Sequence, residues 1–144
     1  MGKRNTITAL CLVLGLFAIS GLAFAHGTEK HDKMLADPQM KKLHAMMPMF
    51  SITTAKIEAA IEKGDVTSVE VEAGKIVAAL PDLKKSKPHK NINQKIKYVE
   101  MATKLETAVN LTVSLAKKGD FTGANTTFKQ VEEACAACHA KFRD

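Results

Sequence analysis

Residues 118–142, KGDFTGANTTFKQVEEACAACHAKF, decide how this chain folds. Lys118-Gly119-Asp120 is helix punctuation: a glycine just past one helix, then an aspartate at the N-cap of the next. After it Phe121, Ala124, Phe128, Val131, Cys135, Cys138 and Phe142 alternate at three- and four-residue spacing. That is the apolar face of a helix. Gly123 falls in the first turn, where its cost is small. The last turns of this helix carry Cys135-Ala136-Ala137-Cys138-His139. Cys-x-x-Cys-His is the attachment pattern of a c-type haem. Two thiols three residues apart are neighbours on a helical turn, placed to add to two vinyl groups as thioethers. The following imidazole then supplies an axial iron ligand. A redox dithiol, half of a zinc site and a structural disulfide use the same cysteines. The first wants a βαβ setting and the second a further Cys or His pair, and the sequence offers neither.

The same Lys-Gly-Asp punctuation recurs at Lys63-Gly64-Asp65, 55 residues upstream. A first helix starts at Asp37-Pro38, with Asp37 at N-cap and Pro38 at the first helical position. Its seam is Leu43, Met47, Phe50, Thr54, Ile57 and Ile61, and Pro48 inside it is expected to kink or loosen the helix. A second helix, from about Val66 to Leu80, presents Val66, Val69, Ala73, Ile76, Val77 and Leu80, and Pro81 is expected to stop it. Residues 81–90, PDLKKSKPHK, form the longest connection. A third helix runs from about Ile92 to Lys117 with Ile96, Val99, Ala102, Leu105, Val109, Val113 and Ala116 as its apolar face, and the fourth continues to Phe142. Strand signals are essentially absent. The expected fold is all-α, an antiparallel four-helix bundle made of two helical hairpins, with covalent haem on the C-terminal helix inside the bundle.

Residues 1–25 read as a secretory signal. Lys3 and Arg4 supply the charged start, Ile7 to Leu22 the apolar stretch, and Ala23-Phe24-Ala25 the cleavage site, with cutting after Ala25. Ser20 and Gly21 break the apolar run, so no membrane span is expected after signal removal. Cys11 leaves with the signal, because Leu10 before it is too large for a lipid-attachment site. The mature cysteines are then only those of the haem motif. Residues 26–36 form a flexible leader and residues 37–144 the four-helix domain, enough chain for one core. Of 21 basic and 15 acidic side chains, 19 and 15 remain after cleavage, a net charge of +4. So mild an excess, with one tyrosine and no basic-aromatic interleaving, is a poor basis for nucleic-acid binding, and no nucleic-acid partner is expected.

On these residues the chain resembles the class II c-type cytochromes, cytochrome c′ and its low-spin relatives of the c-556 type. The likeness rests on the C-terminal Cys135-Ala-Ala-Cys138-His139-Ala-Lys-Phe142-Arg143, the Met-rich first helix closing on Ile61-Glu62-Lys63-Gly64-Asp65, and the Lys-Gly-Asp turn before the last helix. It spans about residues 37–144 and implies a periplasmic protein with one haem c, often a homodimer. His139 becomes the proximal ligand, Cys135 and Cys138 the thioether residues, and Arg143 a source of proximal electrostatics.

In the family a residue of the first helix covers the distal face of the haem. A methionine there closes the coordination of a low-spin electron carrier. A non-ligating apolar residue leaves a high-spin, five-coordinate iron open to nitric oxide or carbon monoxide. Counted back from Lys63-Gly64, that position falls at about Pro48, which cannot ligate, but Met46, Met47 and Met49 surround it and Met40 lies two turns upstream. Methionine also fills core space without ligating anything. Met47, on the apolar seam, is the expected distal ligand, with Met49 the alternative. His44 lies near where relatives carry a basic residue that reaches a propionate, and as a ligand it would make a bis-His haem. His26, His31 and His89 are expected to be solvated. Electron transfer to a redox protein not identified by the sequence is the expected function, and gas binding is the alternative. No catalytic constellation marks an enzyme.

Overall fold

The structure, a computed structural model, describes residues 37–143. The signal, the leader and Asp144 lie outside them. Four helices account for most of the described chain: α1 Pro38–Lys63, α2 Val66–Lys85, α3 Lys95–Lys117 and α4 Phe121–Phe142. No strand occurs among the described residues, and the arrangement is consistent with a four-helix bundle.

The helix ends follow the expected punctuation. The Asp37 carboxylate accepts from the Gln39 N–H at 2.8 Å, with Pro38 just inside the helix. Both Lys-Gly-Asp turns share one hydrogen-bond pattern. Gly64 is left-handed (φ 68°) and the Asp65 N–H reaches back to the Ala60 carbonyl at 2.9 Å. Gly119 is left-handed (φ 76°) and the Asp120 N–H reaches the Leu115 carbonyl at 3.0 Å. These backward bonds satisfy carbonyls that a helix end leaves orphaned. Asp65 and Asp120 then cap the next helices, accepting from the N–H groups of Ser68 (3.0 Å) and Gly123 (2.8 Å). Gly123 has a specific use here, because a Cβ would run into the Asp120 carboxylate that makes this cap. Gly64 lies against the Phe121 ring, so the two turns sit together at one end.

α3 packs most extensively on α4, α1 packs on α2, and α2 packs on α3, whereas α1 meets α4 only sparsely. Val69, Leu80, Ala116 and Ala124 are fully buried in the shared core. Thr112 and Thr127 share a buried 3.0 Å hydrogen bond across α3 and α4. The hydroxyl that accepts this bond donates its own proton to a carbonyl of its helix, Ala108 for Thr112 or Ala124 for Thr127, so neither hydroxyl is stranded.

Pro81 does not stop α2, which continues to Lys85. An interior proline forfeits a helical hydrogen bond and costs about 3 kcal/mol. Burying Leu83 returns about 1.5–3 kcal/mol, and Asp82 meets Lys42 of α1 at 3.0 Å. The connection therefore lies at residues 86–94, and α3 begins at Lys95 instead of near Ile92. Ile96 is 79 % exposed, against the expected seam, and Tyr98 is buried in its place. Tyr98 is in register with Ala102, Leu105, Val109, Thr112 and Ala116, and Ile96 lies two residues off that line. In α1 the buried set is Met46 and Thr53, where Met47 and Thr54 were expected, and the helix is continuous through Pro48.

Candidate haem site

Sparse packing of α1 on α4 leaves room for a cavity of about 320 Å³. α4 contributes Cys135, Cys138, His139, Phe142 and Arg143; facing them, α1 contributes Leu43, His44, Met47, Pro48 and Phe50. Tyr98, Met101, Ala102 and Leu105 of α3 form the side wall. The lining is almost wholly apolar, in the volume range of sites that take up a small molecule or cofactor.

Helical periodicity gives the α4 wall its chemistry. Cys135 and Cys138, one turn apart, both line the cavity and are both half-buried free thiols. Burial pushes the Cys135 thiol above its ordinary pKa, and the neighbouring Cys138 and Glu132 add to the effect. Burial alone raises Cys138. Neutral thiols are the opposite of the stabilised thiolate on which dithiol oxidoreductases rely. Among the described residues, no three His, Cys, Asp or Glu side chains gather to hold a metal ion. Two thiols and an imidazole on one helical stretch, facing an apolar cavity, fit the thioether and axial-ligand chemistry of a haem c.

The α4 end is held by the connection between α2 and α3. The Lys90 N–H donates to the Phe142 carbonyl at 3.0 Å, and the Asn91 side-chain amide donates to the Lys141 carbonyl at 2.7 Å. These carbonyls are orphans of the last helical turn. Asn91 adopts a left-handed backbone (φ 55°), which asparagine tolerates better than most residues. Behind the wall, the Tyr98 hydroxyl shares a buried 2.8 Å hydrogen bond with Ser86. Burial raises the Tyr98 pKa, the Ser86 bond opposes that shift, and nearby Cys138 adds to it, so the phenol stays neutral.

The methionines separate by environment. Met40 and Met46 are buried in the core, and Met49 accepts a 3.6 Å hydrogen bond at its sulfur from the Thr53 hydroxyl. Of these residues, Met47 lines the cavity opposite the cysteines, with Pro48 beside it. The sequence reading missed the surroundings of His89. Expected in solvent, it is half-buried and stacks on His44, with ring centroids 5.1 Å apart and Nε2 atoms 3.1 Å apart. Both rings line the cavity. No local signal marks His89, because the docking of its loop on α4 brings it there. Tyr98 and Met101 were missed as wall residues for a related reason, since the misplaced start of α3 shifted the apparent seam.

Residues 81–143 match the family model described as Cytochrome C', from the last turns of α2 through α4. No curated protein and no solved structure matches the chain.

Proposed function

We propose, from the match of residues 81–143 to the family model described as Cytochrome C', that this protein is an exported monohaem electron carrier. Its haem c is attached through Cys135 and Cys138 in an antiparallel bundle, with His139 and Met47 as the axial ligands. The observation that carries the reading is that Met47 shares one cavity with Cys135, Cys138 and His139. When bound, the haem supplies an iron centre that alternates between Fe(II) and Fe(III). The chain's part is to fix one imidazole through the rigid end of α4, present a thioether from α1, and keep water off the macrocycle with an apolar wall. A neutral thioether favours the reduced state more than a second imidazole does. Arg143, on the cavity lining one turn beyond His139, adds positive charge on the proximal side. The secretory signal read in residues 1–25 supports a periplasmic location. No helix among the described residues is long and apolar enough to cross a membrane.

Pro48 favours a second reading. It lines the same cavity, at the position where the family places its distal residue, and cannot ligate iron. A five-coordinate haem covered by Pro48 would bind nitric oxide or carbon monoxide. The absorption spectrum of the reduced protein decides between them. The electron-carrier reading expects a sharp low-spin α band that carbon monoxide leaves unchanged; a broad high-spin spectrum that shifts with the gas overturns it.

A further inference from the structure

Three stretches meet around the cavity mouth: residues 39–48 of α1, residues 86–95 of the connection and the start of α3, and residues 134–143 of α4. Their meeting is fixed by the His44–His89 stack and by the two hydrogen bonds from Lys90 and Asn91 to the end of α4. None of the three contains an aspartate or a glutamate. Lys41, one turn from His44, is exposed, as are Lys87 and Lys90 on either side of Pro88-His89. Lys141 is half-buried, and Arg143 lines the cavity itself. Lys42 is engaged by Asp82, but Lys41, Lys87, Lys90 and Lys141 have no ion pair among the described residues. Asp144 follows in sequence, outside the described residues.

The opposite end is close to neutral. Lys56, Lys63, Lys75 and Lys117 accompany Glu58, Glu62, Asp65, Glu70 and Glu72 around the first Lys-Gly-Asp turn, and Lys75 and Lys117 pair with Glu72 and Glu70. The second turn lies beside it, about 27 Å from His139 at 1.5 Å of rise per residue along α4. Among the described residues, the excess of basic over acidic side chains is therefore concentrated where the cavity opens.

We infer that the basic face of Lys41, Lys87, Lys90 and Lys141 is the docking surface for an acidic redox protein, which it orients with its own redox centre toward the cavity. The inference rests on the electron-carrier reading. Separated, like-signed surface charge contributes little to holding a fold, but it accelerates and orients encounter with an oppositely charged partner. A protein partner suits this face better than an anionic membrane. Of the exposed large apolar side chains, only Ile92 and Ile96 lie in or next to the 86–95 stretch, while Ile52, Val71 and Leu111 are scattered elsewhere, so the lysines lack the broad apolar face that lipid insertion would want.

Voltammetry of the haem-loaded protein on gold bearing a carboxylate-terminated monolayer tests it, the monolayer standing in for the acidic partner. The expected result is strong adsorption with reversible electron exchange at low ionic strength, lost as salt is raised. Lys87→Glu/Lys90→Glu lowers the electroactive coverage at least about fivefold. Lys118→Glu/Lys129→Glu, the same change of net charge on exposed positions away from the mouth, leaves coverage within about twofold of the parent. Equal losses in the two variants, or no loss in either, overturn the inference. Sedimentation with phosphatidylserine vesicles that depends on Lys87 and Lys90 as strongly as the electrode response also overturns it, in favour of a lipid surface. Failure of the haem reading is read separately, as absence of covalent haem staining on a denaturing gel.

Discussion

The ring of Phe142 meets Tyr98 edge-on, with centroids 5.1 Å apart at 79°. This joins the last turn of α4, the helix of Cys135 and Cys138, to the start of α3. Tyr98 is anchored in turn by its hydroxyl at Ser86, whose Oγ also donates to the Leu83 carbonyl at 2.8 Å. One buried cluster thus ties α4, α3 and the end of α2 beside the two cysteines.

Tyr98→Phe keeps the edge-on packing and removes only the hydroxyl. Ser86 retains its bond to Leu83, so the expected loss is about 1 kcal/mol. Phe142→Ala removes the ring and opens the cavity wall, for an expected loss of about 3–5 kcal/mol. Urea unfolding of the two variants measures the difference. Equal losses would show that the ring contact is not what holds the end of α4.

The glycines divide by sign. Gly64→Ala and Gly119→Ala place a Cβ on left-handed backbone, each at an expected cost of about 1 kcal/mol. Gly74 lies inside α2 with open space where a Cβ would go, so Gly74→Ala is expected to stabilise by about 0.5–1 kcal/mol. Thermal unfolding of the three single variants tests the order, and a destabilising Gly74→Ala would break it.

Why the turns were legible and the middle of the chain less so follows from the same local chemistry. Lys63-Gly64-Asp65 and Lys118-Gly119-Asp120 each specify a left-handed residue and a cap within three positions, and both turns formed as read. Pro81 was misread because its penalty is local, while Leu83, which offsets it, acts through burial against other helices. Tyr98 displaced Ile96 because the inward side of α3 is set by both of its neighbours, not by its own apolar residues. Cys135, Cys138, His139 and Met47 were readable as candidate site residues. His89 became part of the cavity only through a connection whose path depends on hydrogen bonds to Lys141 and Phe142.

The acid limb of stability carries a mark of the first turn. The Ser68 hydroxyl and backbone N–H both bond the Asp65 carboxylate, and with Thr67 and Lys63 they hold its pKa below the ordinary value. A depressed folded-state pKa gives stability that is present above the unfolded value of 3.8 and lost as pH falls through the folded one. Asp65→Asn is expected to flatten the stability curve below about pH 4. Denaturation series at several acidic pH values check this, and an unchanged acid limb would remove Asp65 from the account.

His89→Ala removes the ring that ties the connection to α1 through His44. The Lys90 N–H remains able to bond Phe142, so the fold is expected to persist with a loss of about 0.5–1.5 kcal/mol. Hydrogen exchange is the sharper measurement. The Lys90 amide should exchange several-fold faster, while amides near Thr112 and Thr127 keep their protection. Uniform acceleration through both regions would mean that the stack supports global stability instead of fastening the loop.

Met47 and Met49 separate ligation from packing. Met47 lines the cavity, whereas the Met49 sulfur takes the Thr53 hydrogen bond and its side chain packs against the core. Leucine is close to methionine in volume, so either substitution should cost less than about 1.5 kcal/mol in packing. Met47→Leu is expected to convert the reduced haem to a high-spin form that binds carbon monoxide. Met49→Leu is expected to leave a low-spin spectrum and remove only the weak sulfur contact to Thr53. Spectra of the two reduced variants, before and after the gas, decide the assignment. The opposite pattern would move ligation to Met49 and require α1 to turn its sulfur away from Thr53. A low-spin spectrum in both would exclude either methionine as the ligand and direct attention to His44.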